Sequence, residues 1–165
     1  FHTKFFIYSA FVSALIVVTF IDMDIQEIPD SISIGGLAAG LLASALFPVL
    51  HGEVARAESF IRSLAGAIAG GASIYIMGVL GKTAFKKEAM GGGDVKLMAM
   101  IGAVLGWKLT ILTFFIAPVF GAAIGIILKI REGRDTIAYG PFLSFAAIAS
   151  IFYGDAILDF FFNLL

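Results

Sequence analysis

Apolar runs of about 20 residues, cut by short polar breaks, recur along this entire sequence. A helix of that length crosses the roughly 30 Å hydrocarbon core of a bilayer. The runs lie at about 4–21, 31–50 and 59–81. A shorter one follows at about 94–106, a fifth extends beyond Trp107-Lys108 to about 129, and a sixth begins near Gly140. Between them lie the breaks 22–30, 51–58, 82–93, the Trp107-Lys108 pair and 130–138. With 60% of its 165 residues hydrophobic and only 14% charged, a soluble domain of this size could not hide its apolar surface from water. The expected fold is therefore all-α: a polytopic membrane bundle of about six transmembrane helices, forming one domain over residues 1–165.

Composition also removes whole classes of chemistry. A net charge of −1 and the lack of any long Lys/Arg run exclude a basic nucleic-acid face. Without cysteine there is no disulfide, thiolate metal site or cysteine nucleophile. His2 and His51 are too few and too far apart to suggest a metal cluster. Lys4 followed by Phe5 to Phe20 resembles a signal peptide, but no small-residue cleavage site follows, so this segment reads as a spanning helix. The chain starts at Phe1 rather than methionine, which leaves room for sequence upstream of it.

If the segments alternate in direction, the breaks at 22–30, 82–93 and 130–138 share one side. That side carries Lys82, Lys86, Lys87, Lys129, Arg131 and Arg134, against Lys4, Arg56, Arg62 and Lys108 opposite. Cytoplasmic flanks are richer in Lys and Arg, so the first side is expected to face the cytoplasm. Pairs of glycines one turn apart, Gly36/Gly40, Gly66/Gly70, Gly102/Gly106 and Gly121/Gly125, suit close helix packing within the chain and leave room for a homodimer. Pro118 is expected to kink the fifth segment or open its backbone ladder. The tail with Asp155 and Asp159 either completes the last helix or lies along the interface.

Two acidic words stand at the ends of apolar runs. In the first, Asp22, Asp24, Glu27 and Asp30 fall within nine residues. Asp30, just before a new apolar run, reads as a helix N-cap, and Asp24 and Glu27 as solvent-facing. Asp22 follows Thr19-Phe20-Ile21 without interruption and should sit at the headgroup boundary or just beneath it, where an acid is a functional candidate. The second word is Gly91-Gly92-Gly93-Asp94-Val-Lys96. It lacks the Gly-Lys-Ser/Thr ending of a phosphate loop and the spaced oxygens of a calcium loop. Its glycines allow a sharp turn and close approach of another backbone, so Gly91, Gly92 and Gly93 are candidates for positioning a peptide. The bland alternative is a turn whose aspartate caps a helix. Lys96 is a lower-ranked candidate for lipid contact or for biasing the acids.

Two helices return the chain from Asp22 to Asp94, on the same side. Two carboxyls a few ångströms apart cannot both ionise readily, so they share a proton. The ionised member can then take a proton from water while the neutral one polarises a peptide carbonyl.

At Phe20-Ile-Asp22-Met-Asp-Ile-Gln-Glu-Ile-Pro29-Asp30, at Gly91-Gly-Gly-Asp94-Val-Lys96-Leu-Met-Ala-Met-Ile-Gly-Ala-Val-Leu-Gly-Trp107 and at Tyr139-Gly-Pro-Phe-Leu143, the sequence resembles the bacterial type IV prepilin peptidases. These belong to the GxGD class of membrane aspartyl proteases. The resemblance covers nearly the whole chain. It implies catalytic roles for Asp22 and Asp94 in the bacterial inner membrane, with the active site facing the cytoplasm. The implied substrates are prepilins and pseudopilins, cut after a glycine that ends a short basic leader and precedes an apolar helix. Cleavage would need no cofactor. Many relatives add an upstream portion with paired cysteines linked to methylation; nothing here matches it, so S-adenosylmethionine is expected only if an upstream methyltransferase region exists. The alternatives are a GxGD protease acting on other membrane substrates and a non-enzymatic scaffold or transporter component, whose acids would sit nearer the bilayer midplane.

Overall fold

A computed structural model describes residues 2–86, 90–132 and 138–163, and among these there are helices and no strand. The helices are α1 (His2–Ile25), α2 (Asp30–Leu46), α3 (Arg56–Phe85), α4 (Gly92–Glu132) and α5 (Gly140–Phe162), with a 3₁₀ turn at Pro48–His51. Four of them, all but α2, are long and apolar enough to cross a bilayer. The chain is an all-α, polytopic membrane protein. Large apolar side chains such as Phe6, Phe20, Phe115, Val119 and Phe152 face outward. Such a surface would be a liability in water and is ordinary against lipid.

The 41 residues of α4 would reach roughly 60 Å as one straight helix, about twice the hydrocarbon thickness. It does not run straight. Gly106 adopts φ 75°, ψ 167°, outside the helical region and open to glycine at little steric cost. Residues 92–105 lead from Asp94, which lines a cavity with Asp22, to Gly106, which lies against His51. The second arm returns, because Gly121 packs on Tyr139 and Phe142 at the start of α5. Farther along α5, Gly154 meets Leu109. Among the described residues the chain thus passes six times between two ends of the bundle. Asp22, Asp94 and Gly140 mark one end; Lys4, His51, Gly106 and Asp155 mark the other.

The expected fourth and fifth segments are the two arms of α4, two helices that meet at Gly106, one residue before the Trp107-Lys108 pair. Pro118 leaves the helical dihedrals around it intact; a proline removes one ladder bond, a loss that membrane helices absorb through neighbours. The last helix continues through the tail to Phe162. Of the cations counted for orientation, Lys87, Arg134 and the side chains of Lys129 and Arg131 lie outside the described residues.

The first arm of α4 is the centre of the packing, with Leu97, Met98, Ile101 and Ala103 wholly buried. Glycines bring its neighbours close. A Cβ on Gly36 would strike Met100, one on Gly40 would press on Ala103 and Val104, and Gly66 and Gly102 face one another backbone to backbone. Lipid tails are as apolar as side chains, so such association relies on close packing and interhelical hydrogen bonds. Ser63 supplies one by donating to the Ala103 carbonyl at 2.6 Å, and a 3.0 Å bond joins the Thr113 and Ser150 hydroxyls.

Replacing Gly66 or Gly102 by alanine should therefore destabilise the protein by at least about 1–3 kcal/mol. Gly35→Ala, with nothing within 4 Å of the added carbon, should be neutral. Thermal unfolding in detergent distinguishes the two, and equal behaviour would show that the α3–α4 contact does not limit stability.

Candidate active site

Asp22 lies in the last turn of α1, which ends at Ile25, one turn later than the hydropathy break suggests. It faces the bundle and is only 5% exposed. Its Oδ2 accepts a 2.8 Å hydrogen bond from the backbone N–H of Gly140, the first residue of α5. That amide has no partner inside its own helix, and the positive end of the helix dipole favours an anion there. Just beyond, Gln26 takes a left-handed conformation (φ 54°) with its N–H bonded to the Asp22 carbonyl, turning the chain toward Pro29.

Asp94 is the third residue of α4 and is 8% exposed. Its Oδ2 accepts a 3.0 Å bond from the N–H of Gly91, just before the helix. An acid at this position reaching back to the residue before the helix is the second half of a capping box. The cap reading of Asp94 and its burial beside another acid thus hold together. The glycines serve proximity rather than turning, since none of Gly91, Gly92 and Gly93 has a positive φ. A Cβ on Gly93 would press on Ile28 at 3.1 Å, whereas Gly92 faces open space.

Both aspartates open on one cavity of about 560 Å³, lined also by Gln26, Glu27, Pro29, the three glycines and Lys96. The charge of Asp22 is felt at Asp94. Asp24 and Glu27 are exposed, as expected. Asp30 is not an N-cap: Pro29 holds that position and no side chain caps α2. Asp30 is instead the first residue of α2, and its carboxylate takes the Lys96 ammonium at 2.6 and 2.8 Å. A cation two residues beyond Asp94 wins over a local amide because the α2 and α4 starts are neighbours. Among the described residues no three His, Asp or Glu side chains are grouped to hold a metal ion.

The sequence pattern of the type IV leader peptidase family matches residues 9–126, which include both aspartates. The chain belongs to the type IV leader peptidase family. It is 37% identical over 150 residues to the prepilin leader peptidase/N-methyltransferase of Legionella pneumophila, covering 89% of this chain and 50% of that protein. It is 35% identical over 148 residues to the Pseudomonas aeruginosa protein of that name, covering 87% and 48%. For the Aeromonas hydrophila protein the identity is 34% over 146 residues, covering 87% and 48%. The chain thus spans about half the length of these relatives. No solved structure matches it.

For this family member the structure adds residues that sequence reasoning left without a role. Gly140 lies beyond the matched stretch, and its Cβ would stand 2.6 Å from Asp22 Oδ2, so only glycine lets the amide come so near. Beside it, the Tyr139 hydroxyl is buried with no hydrogen-bond partner among the described residues. Burial, and then the charge of Asp94, push the Tyr139 phenol up to about 12, so it stays a proton donor at neutral pH. The Tyr139-Gly-Pro-Phe word was visible in the sequence; its contact with Asp22 was not.

Gly140→Ala should displace the Asp22 carboxylate and lower stability by about 1–3 kcal/mol, while Gly92→Ala should not; melting curves of the two variants give the comparison. The Asp30–Lys96 pair is exposed, so a double-mutant cycle with Asp30→Asn and Lys96→Gln should return no more than about 1 kcal/mol. A coupling several times larger would mean that the pair organises the cavity.

Proposed function

We propose that this chain is an aspartic endopeptidase that removes the basic leader of type IV prepilins and pseudopilins after a glycine. The observation that carries this reading is the placement of two buried carboxyls, from the end of α1 and the start of α4, on one cavity at one end of the bundle. The family and the names of its relatives supply the substrate class.

In the proposed reaction a water molecule enters between Asp22 and Asp94. The ionised carboxyl takes its proton as the water oxygen bonds to the peptide carbonyl carbon, while the protonated carboxyl donates a hydrogen bond to the carbonyl oxygen. The tetrahedral intermediate collapses, the C–N bond breaks, and the amine of the new N-terminus leaves with a proton from the pair. No cofactor enters this step. The bonds from Gly140 and Gly91 occupy one oxygen of each carboxyl, leaving Oδ1 of each for the reaction. Tyr139 keeps a further donor close to Asp94.

Access fits the same substrate. A proton- or ion-carrying component would hold its acids near mid-height, but these stand in a terminal turn of each helix. Exposed Glu27, on the lining of the cleft, gives it a negative charge suited to a basic leader, and the apolar stretch after the cut can remain in the bilayer. We assign this end to the cytoplasm and the protein to the bacterial inner membrane. The relatives' names also include N-methyltransferase; S-adenosylmethionine would enter only if an upstream methyltransferase region exists.

Incubating the purified protein with a prepilin and weighing the products tests the reading. Asp22→Asn and Asp94→Asn should each reduce cleavage by at least about 100-fold with melting behaviour close to the parent protein. Cleavage that survives in either folded variant would refute the pair.

A further inference from the structure

At the end of the bundle opposite the aspartates, the starts of α1 and α3, the 3₁₀ turn, the Gly106 reversal and α5 enclose a polar cavity of about 320 Å³. Lys4, Arg62 and Lys108 line it, together with His51, Trp107 and Asp155. Arg62 also pairs with Glu53. Three cations against Asp155 and Glu53 leave one positive charge in surplus. Two of the cations are steadied by aromatic rings: the Lys4 ammonium stands 5.3 Å from the Tyr8 ring centre and that of Lys108 5.8 Å from Trp107. His51 Nε2 is buried there without a hydrogen-bond partner among the described residues. Burial, followed by the charges of Lys4 and Arg62, pushes the imidazole down to about 4 despite the opposing Ala103 carbonyl and Glu53. His51 is therefore neutral at physiological pH and registers a positive field.

This cavity continues into a second. Lys4, Tyr8 and Ile151 border both, and the second, of about 670 Å³, runs down one face of α1 past Phe5, Ser9 and Val12, with Val49 and Phe152 opposite. Its lining is mainly apolar. From Lys4 to Val12 the helix rises about 12 Å, which carries the groove from the interface toward the bilayer interior. Trp107 sits level with the polar part, where an aromatic ring favours the membrane–water boundary.

We propose that this end of the bundle holds one anionic phospholipid, its headgroup phosphate among Lys4, Arg62 and Lys108 and an acyl chain in the groove from Phe5 to Val12. The surplus charge of one matches a phosphodiester monoanion, and charge-assisted hydrogen bonds from Lys and Arg are the strong kind. A zwitterionic lipid would bring an ammonium or choline into a site that already has its full complement of cations. A free phosphate would use the polar cavity and leave the groove unfilled. Bound in this way, the lipid ties α1, α3, α4 and α5 together at the end remote from Asp22 and Asp94. The inference does not depend on the peptidase reading.

Delipidated full chain in detergent, titrated with phosphatidylglycerol and followed by native mass spectrometry and by melting temperature, tests it. The expected result is a single saturable lipid adduct and a higher melting temperature. Phosphatidylcholine and inorganic phosphate at equal concentration should produce neither. Lys4→Gln, Arg62→Gln and Lys108→Gln should each weaken binding about tenfold or more, and Lys96→Gln, at the other end, should leave it unchanged. Lys108 is exposed, so its variant keeps the test open should another fail to fold. An equal response to phosphatidylcholine, an equal response to inorganic phosphate, or affinity untouched by the cation substitutions would each overturn the proposal.

Discussion

Backbone amides at helix starts hold both buried carboxyls, Gly140 N–H on Asp22 and Gly91 N–H on Asp94. Moving a carboxyl from water into a bundle is costly unless donors replace its hydration. An amide at a helix start is itself in need of an acceptor, so one bond satisfies two otherwise stranded groups. Unlike a side-chain donor, it cannot swing away through a change of rotamer. The carboxyls are therefore fixed to the ends of α5 and α4, and their relative placement follows from how those helices pack. Glycine supplies the amide on Asp22 because any side chain there would occupy the space of the carboxyl oxygen.

Packing in turn is governed by the first arm of α4. Its buried residues leave no free face, and it meets α2 through Gly36 and Gly40 and α3 through Gly66 and Gly70. These contacts set its height. A slip by one helical turn would move Asp94 by about 5.4 Å and separate it from Asp22. The reversal at Gly106 then lets the second arm return to the same end, where Gly121 supports Tyr139 and Phe142. A glycine in a left-handed conformation at the far end is thus part of what brings Gly140 to Asp22.

The apolar runs and the glycine pairs were legible because each is a local pattern with one strong physical reading. Burial of apolar residues needs a bilayer, and small residues one turn apart need a close neighbour. What was not legible depends on tertiary partners. Asp30 has the local look of a cap, yet Lys96, 66 positions away, takes its carboxylate. The amide that holds Asp22 is 118 positions distant. Gly106 breaks the helical dihedrals while Pro118 does not, although proline is the stronger local signal. The glycines before Asp94 announced close approach, but that Gly93 lies against Ile28 and Gly91 against Asp94 depends on the packing.

The two ends of the bundle have opposite chemistry, and this bears on which way the protein sits. Asp22, Glu27, Asp30 and Asp94 line a cavity at one end together with Lys96. The proposed basic leader would be drawn to that end and the proposed anionic headgroup to the other. The tally of Lys and Arg used for orientation treats every cation as a free loop charge. Lys4, Arg62 and Lys108 are not free in that sense, because they converge on one cavity where a phosphate would neutralise them. Lys82 and Lys86 stand at the end of α3 on the aspartate side. If the proposed lipid holds the three converging cations, setting them aside leaves the remaining tally leaning further toward the aspartate end, so the proposed lipid would add to the argument for placing that end in the cytoplasm.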